Sequence, residues 1–180
     1  MFTTRILVSF FEFLLSVVMS GFIIYLTYRV FIKANPDFDM EAEIKKGNVA
    51  VGTLVSFILV SASLILQKGL GSVVSMFRLH LSAPGESALG LGKLALLTTA
   101  HLGLSLLLAV ITISVTLRLF GRLVRNHLHA GKELEKGNLA VGLVLSAVVL
   151  VAAIYVGEGV SAISKALVPQ PSIGQIEIMK

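Results

Sequence analysis

EIKKGNVAVG at residues 43–52 and ELEKGNLAVG at residues 133–142 are nearly the same ten-residue stretch, and each stands directly before a long apolar run. Subtracting the positions of the two asparagines (138 − 48) gives an offset of 90 residues. A second match, TYRVFIK at 27–33 with TLRLFGR at 116–122, has an offset of 89, so one residue was gained between the two motifs. The pattern predicts an internal duplication of about half the chain.

The composition is that of a membrane protein. Of 180 residues, 56% are hydrophobic and only 14% are charged, with a mean hydropathy of +0.92. Soluble domains are about half apolar and about a quarter charged. The absence of cysteine excludes disulfide and thiolate chemistry. The formal charge of +5 favours basic loops that face anionic lipid over binding of nucleic acid.

Four apolar segments, at residues 6–31, 49–66, 94–120 and 139–156, are the candidate membrane spans. Each has about the 17–25 residues that a helix needs to cross the hydrocarbon core. Helices are expected because the backbone must satisfy its own hydrogen bonds in lipid. The first segment is not predicted to be a signal peptide, since it is too long, contains Glu12 and lacks a clear cleavage site.

The predicted fold is an all-α integral membrane protein with four transmembrane helices, arranged as two tandem helical hairpins. Two spans per hairpin give both the same orientation, so they are parallel repeats related by a pseudo-two-fold axis along the membrane normal. The expected division is a first repeat at 1–70, a linker at 71–93, a second repeat at 94–168 and a C-terminal tail at 169–180. Within the linker, SVVSMFRLHL at 72–81 either extends the second span or forms a short interfacial helix.

Basic residues predict the orientation. Nine lie in the loops within the hairpins and six on the other side. The nine are Arg29, Lys33, Lys45, Lys46, Arg118, Arg122, Arg125, Lys132 and Lys136, and the six are Arg5, Lys68, Arg78, Lys93, Lys165 and Lys180. The positive-inside rule places these loops in the cytoplasm and both termini outside.

The repeated stretch contains two sets of small or polar residues. Gly47-Asn48 and Gly137-Asn138 stand where a polar linker meets an apolar helix, and asparagine is a favoured N-cap. The alternative is a paired asparagine site on the pseudo-axis for an ion or a partner. Gly52 with Ser56, and Gly142 with Ser146, have the small-xxx-small spacing that lets helices approach closely, either between the second and fourth spans or within each hairpin.

Titratable residues interrupt the spans. Glu12 corresponds to His101 at an offset of 89, and Lys68 corresponds to Glu158 at an offset of 90. At 1.5 Å per residue, Glu12 and Lys68 lie about 25–30 Å from the loop side, so Glu12 is expected near Lys68, and His101 near Glu158. One interpretation is two structural ion pairs. The others are a path for protons or cations in which Glu12 and His101 titrate, and a site for a lipid or small ligand.

The second intra-hairpin loop, RLVRNHLHAGKELEKGN at 122–138, is basic, whereas the first begins acidic. Arg118, Arg122, Arg125 and Lys132 are predicted to contact anionic lipid or a protein partner. His127 and His129 lack further ligands, so neither a metal nor a cofactor is expected. No phosphate-binding Gly-rich loop, HExxH motif or nucleophile elbow occurs, and we expect no enzyme activity.

The layout resembles the YjfL-like bacterial inner-membrane proteins, the domain-of-unknown-function family 350. The residues that carry the resemblance are IKKGNVAVG at 44–52 and LEKGNLAVG at 134–142, similar to a family motif I-x-x-G/N-N-x-A-A/V-G. It covers nearly the whole chain, although the central linker and tail are longer here. The resemblance implies a multi-pass protein of the bacterial plasma membrane. It implies no agreed activity, and no catalytic residue is carried over.

Two functions follow as hypotheses. The first is a small oligomeric proton or cation channel that uses a duplicated polar helix face. The residues of this face are Ser9, Glu12, Ser16 and Thr27 in the first span, matched at an offset of 89 by Thr98, His101, Ser105 and Thr116 in the third. The second is a non-conducting scaffold or accessory subunit that recruits a membrane-associated protein partner in a membrane-stress response. Both predict contact with the bilayer and its anionic lipids, and small residues at helix faces favour a homo-oligomer.

Overall fold

The computed structural model describes residues 2–33, 38–82, 91–125 and 129–167. Within these ranges the chain is entirely helical apart from turns and short connections. The helices are α1 (Phe2–Thr27), which a π-helical stretch (Tyr28–Ile32) continues, α2 (Met40–Lys45), α3 (Val49–Ser82), α4 (Leu91–Val124), α5 (Ala130–Glu135) and α6 (Leu139–Leu167). Outside the described residues lie the whole predicted tail at 169–180, the loop segment at 126–128 with His127, and residues 83–90 of the linker with Pro84.

Four of these helices are long and apolar enough to cross a membrane, as predicted. The candidate spans are Arg5–Ile32, Val49–Arg78, Gly92–Val124 and Leu139–Ile163. Helix α3 has 34 residues, so it is about 51 Å long and exceeds the roughly 30 Å hydrocarbon core. The segment at 72–81 is part of α3, so the first of its two predicted alternatives is correct.

The short helices α2 and α5 end in the same way, immediately before α3 and α6. Gly47 and Gly137 have φ angles of 82° and 81°, a left-handed conformation that glycine adopts without steric cost. After each glycine the asparagine N–H bonds back to the carbonyl of Glu43 (3.0 Å) or Glu133 (2.9 Å). This Schellman-type ending stops the short helix and turns the chain into the following span.

The ends of α1 and α4 differ, although TYRVFIK and TLRLFGR are similar. After Thr27 the chain forms a π-helical stretch, in which the Lys33 N–H bonds to the Tyr28 carbonyl at 2.9 Å. Helix α4 instead continues as an α-helix to Val124. Because Asp39 and His129, the residues before α2 and α5, are already 90 residues apart, the offset between the two similar stretches changes from 89 to 90 between residues 122 and 129.

Helices α3 and α6 lie side by side at the centre, α4 packs against both, and α1 packs against α3. The main core joins these elements through side chains such as Leu54 and Ile58 of α3 and Leu145 and Val149 of α6. The most apolar window of α3 is 50% buried, against 11% for α1. Helix α3 is therefore the central span and α1 the peripheral one.

Close helix contacts occur at glycines. A Cβ on Gly142 of α6 would lie 2.7 Å from the carbonyl oxygen of Ala50 on α3, whereas a Cβ on Gly52 would meet no atom within 4 Å. Ser146 is buried and Ser56 is exposed. The predicted packing role thus fits Gly142 and Ser146, while Gly52 and Ser56 occupy a more open surface. A second close contact joins α3 and α4, where a Cβ on Gly69 would overlap the side chain of Ser105.

Replacing Gly142 with alanine is expected to destabilise the protein by about 1–3 kcal/mol, because backbone atoms of Ala50 would have to move. The matched control is Gly103→Ala on α4, which has open space and gains up to about 1 kcal/mol from helix propensity. Thermal unfolding in a mild detergent measures both. Equal effects of the two substitutions would contradict the close α3–α6 contact.

Candidate functional site

Each Gly-Asn turn is closed by a lysine and a glutamate. The Glu43 carboxylate accepts hydrogen bonds from Lys46 Nζ (2.6 Å) and Asn48 Nδ2 (3.0 Å), and Glu133 accepts from Lys136 Nζ (2.9 Å) and Asn138 Nδ2 (2.9 Å). Sequence reasoning missed the two glutamates. The signal was present, because E-x-x-K-G-N occurs at both places with an offset of 90.

The asparagines are helix N-caps, as predicted. Asn48 Oδ1 accepts from the Val51 N–H at 3.2 Å, and Asn138 Oδ1 accepts from the Val141 N–H at 3.4 Å. Asn48 has additional partners, because its Nδ2 also donates to the carbonyls of Leu134 (2.8 Å) and Glu135 (3.2 Å). Asn48 therefore ties the start of α3 to the end of α5. A paired asparagine site for an ion stays a prediction.

These contacts shift the acidity of the two glutamates. The hydrogen bond from Asn48, and then that from Lys46, holds the pKa of Glu43 below its ordinary value of 4.5. Asn138, followed by Lys136, lowers the pKa of Glu133 in the same way. Hydrogen bonds that favour the ionised carboxylate are the cause in both cases. Both turns therefore contain carboxylates that are ionised at neutral pH.

At the other end of α3 and α6, Lys68 Nζ lies 2.7 Å from Glu158 Oε1. The expected pairing of Lys68 with Glu12 is therefore wrong. The prediction from the sequence used only the distance of each residue from the loop side. In the structure α3 packs against α6, so Lys68 lies opposite Glu158, the residue at the matching position of α6. The pair is partly open, with side-chain exposures of 40% for Lys68 and 67% for Glu158. Glu12 is exposed on α1 and forms no ion pair with a described residue.

His101 is 3% exposed on α4. Its Nδ1 lies 2.9 Å from the Leu97 carbonyl oxygen, which can only accept, so Nδ1 carries the proton. Its Nε2 is buried and has no partner among the described residues, so the expected contact with Glu158 is also wrong. One turn further, Ser105 Oγ donates to the His101 carbonyl at 2.8 Å, against Gly69 of α3.

Thr27 Oγ1 and Ser61 Oγ are likewise buried without a partner in the described part of the chain. The three positions lie at different depths. Thr27 is two residues before Arg29, Ser61 is 13 residues after Asn48, and His101 is 17 residues before Arg118. At 1.5 Å per residue these separations are about 3, 20 and 25 Å from the loop side. Unpartnered polar groups thus occur along the length of the spans.

All four residues predicted for lipid or partner contact border one cavity of about 750 Å³ at the loop end of the helices. They are Arg118, Arg122, Arg125 and Lys132. The π-helical stretch, α3 and α6 complete the cavity with apolar side chains. Among the described residues no group of three or more His, Asp or Glu side chains is placed to hold a metal ion.

The spans and their packing define a multi-pass membrane protein with four candidate transmembrane helices. Residues 4–160 match the model of the Domain of Unknown Function (DUF350), so the chain belongs to the DUF350 family. The resemblance noted in the sequence is thereby confirmed. No curated protein and no solved structure matches the chain.

Asn48→Ala is expected to destabilise the protein more than Asn138→Ala. Each substitution removes an N-cap and the bond to a glutamate, and loss of a cap costs about 1 kcal/mol. Asn48→Ala also leaves the Leu134 and Glu135 carbonyls without their donor. Thermal unfolding of both variants in detergent tests the difference. Equal losses would show that the Asn48 bonds to α5 contribute nothing.

The two glutamates predict a loss of stability in acid. Since their pKa values are lower in the folded state than the ordinary 4.5, the unfolded chain takes up protons first as the pH falls. Their stabilisation is complete above about pH 4.5 and is lost progressively below it. The unfolding midpoint measured between about pH 7 and pH 3 tests this loss of stability. In the double variant Glu43→Gln/Glu133→Gln the midpoint should decrease less as the pH falls below about 4.5. If the midpoint of the double variant decreased as much as that of the unchanged protein, other carboxylates would cause the loss of stability in acid.

Proposed function

We propose that the protein is a small oligomeric membrane protein that conducts protons or small cations along a polar path between its helices. The observation that carries the proposal is the set of buried polar atoms on Thr27, Ser61 and His101 that have no partner in the described residues. A buried polar group without a hydrogen bond costs about 1–3 kcal/mol. Water or a cation between the helices would satisfy these groups, which fits a conducting path.

Polar and charged groups at the end of the spans away from the intra-hairpin loops support the same proposal. The Nε2 atom of His101 is buried inside the bundle and has no hydrogen-bond partner among the described residues, so it can accept a bond from water or a proton carrier. The Lys68–Glu158 pair is partly open and marks one end of the path. Glu12 is an exposed carboxylate within a span, where isolated charge costs at least about 2.5 kcal/mol. Its exposed position on α1 suits contact with a second copy.

We include oligomerisation in the proposal because four packed spans of one subunit leave only a narrow path for ions. The open surface at Gly52 and Ser56 on α3 suits close approach of another helix. We further propose the bacterial inner membrane as the location, with the intra-hairpin loops in the cytoplasm and both termini outside. The two hairpins are proposed to be related by a pseudo-two-fold axis. The proposed role is transport without enzymatic chemistry.

Proton and K⁺ flux into proteoliposomes that hold the purified protein tests conduction, with empty liposomes alongside. We expect His101→Ala to lower proton flux at least about tenfold, a factor that a barrier increase of about 1.4 kcal/mol produces. Glu12→Gln should lower it as well. His129→Ala and Glu41→Gln are matched controls, because both residues lie in the linkers outside the spans. Unaltered flux in both span variants would remove these residues from the path.

The second candidate is a non-conducting scaffold that recruits a membrane-associated partner. It is favoured by the four cationic side chains that converge at the loop end without an ion pair to a described residue. Absence of flux over several pH values and voltages would support it over the channel. The partner would then be sought by gentle solubilisation and should be lost when Arg122, Arg125 and Lys132 are neutralised.

A further inference from the structure

The cavity at the loop end has a cationic wall and an apolar floor. The wall is formed by α4 and α5 with Arg118, Arg122, Arg125 and Lys132, and the floor by Phe31, Leu54, Ile58 and Leu145. We propose that this cavity binds an anionic phospholipid, with its phosphate between the cations and the start of an acyl chain against the floor. The proposal does not depend on conduction, because the cavity lies at the opposite end from His101 and the Lys68–Glu158 pair.

The charges of the wall are not neutralised by the described part of the protein. None of the four cations forms an ion pair there, and Glu135 is the acidic side chain that borders the cavity. Other linker lysines are neutralised, since Lys45, Lys46 and Lys136 pair with Glu41, Glu43 and Glu133. Arginine side chains bind phosphate through two parallel hydrogen bonds. The wall therefore suits a phosphate group.

The floor distinguishes a lipid from a water-soluble anion. Phe31, Leu54, Ile58 and Leu145 are all buried in the core. Leu54 and Ile58 lie six and ten residues beyond Asn48, so about 9 and 15 Å into the candidate span. The apolar floor thus lies about 9–15 Å beyond the level of Asn48, within the candidate span Val49–Arg78. A ligand with a charged head and an apolar chain matches both parts.

The size of the cavity also fits. Its volume of about 750 Å³ lies within the range of about 300–1,000 Å³ of small-ligand sites. Gly121, which lies between Arg118 and Arg122 on α4, also borders the cavity, and a Cβ there would meet no atom within 4 Å. Head-group depth is also where anionic phosphates of a bilayer leaflet are concentrated. The source of the ligand is therefore the membrane itself.

The test is lipid binding to the purified full-length protein in neutral detergent. Phosphatidylglycerol is titrated and its retention measured by native mass spectrometry, with phosphatidylcholine as the zwitterionic comparison. We expect the double variant Arg118→Gln/Arg122→Gln to weaken phosphatidylglycerol binding about tenfold or more. The matched control is Arg29→Gln/Lys33→Gln, which removes the same charge at the corresponding positions of the first half, outside the cavity. Its binding should change less than about twofold.

A second pair of variants tests the apolar part without changing charge. Gly121→Leu fills the cavity and should also weaken binding, whereas Gly103→Leu, on an exposed part of α4 with equal space for a side chain, should not. Size-exclusion profiles check that all variants remain folded. Equal weakening by both double variants would show general surface attraction and overturn the proposal. Binding of glycerol phosphate as tight as that of the lipid would overturn the assignment to a membrane ligand.

Discussion

The backbone contact between Ala50 of α3 and Gly142 of α6 is the constraint on which the rest of the structure depends. In lipid the helices gain nothing from removing apolar surface from water, so association depends on close packing and hydrogen bonds. A glycine at the crossing lets the two backbones meet. The Asn48 bonds to the Leu134 and Glu135 carbonyls fix the same end. With α3 and α6 in place, α4 packs across both and α1 is left at the edge.

The same contact explains why corresponding residues of the two similar sequence stretches have different surroundings. Gly142 touches α3 while Gly52 faces open space, and Gly69 touches Ser105 while Gly159 meets no atom within 4 Å. Glu12 is exposed, whereas His101 is buried. One member of each pair packs inside and the other faces outward. Two similar stretches of one sequence can in this way contribute both to a packed interior and to the exposed surface.

The sequence predicted the features that depend on local patterns. Apolar length located four spans, and the polar-to-apolar boundary at Asn48 and Asn138 located two N-caps. Features that depend on which helices are neighbours were missed. The Lys68–Glu158 pair is an example, because depth along a helix does not say which helix lies opposite. Likewise, the basic residues of the cavity were predicted singly, but its floor comes from Phe31, Leu54 and Leu145 on three other elements.

The two ends of the helices differ in how their charge is compensated. Lys68 and Glu158 neutralise one another at one end, while the arginines of α4 have no acidic partner in the described residues at the other. A ligand in the basic cavity would touch elements from both halves of the chain, including Phe31 of the first and Leu145 of the second. Anything that binds only the packed state stabilises it in proportion to the logarithm of its concentration over Kd. An anionic lipid bound there would therefore strengthen the same association of halves that the Ala50–Gly142 contact begins.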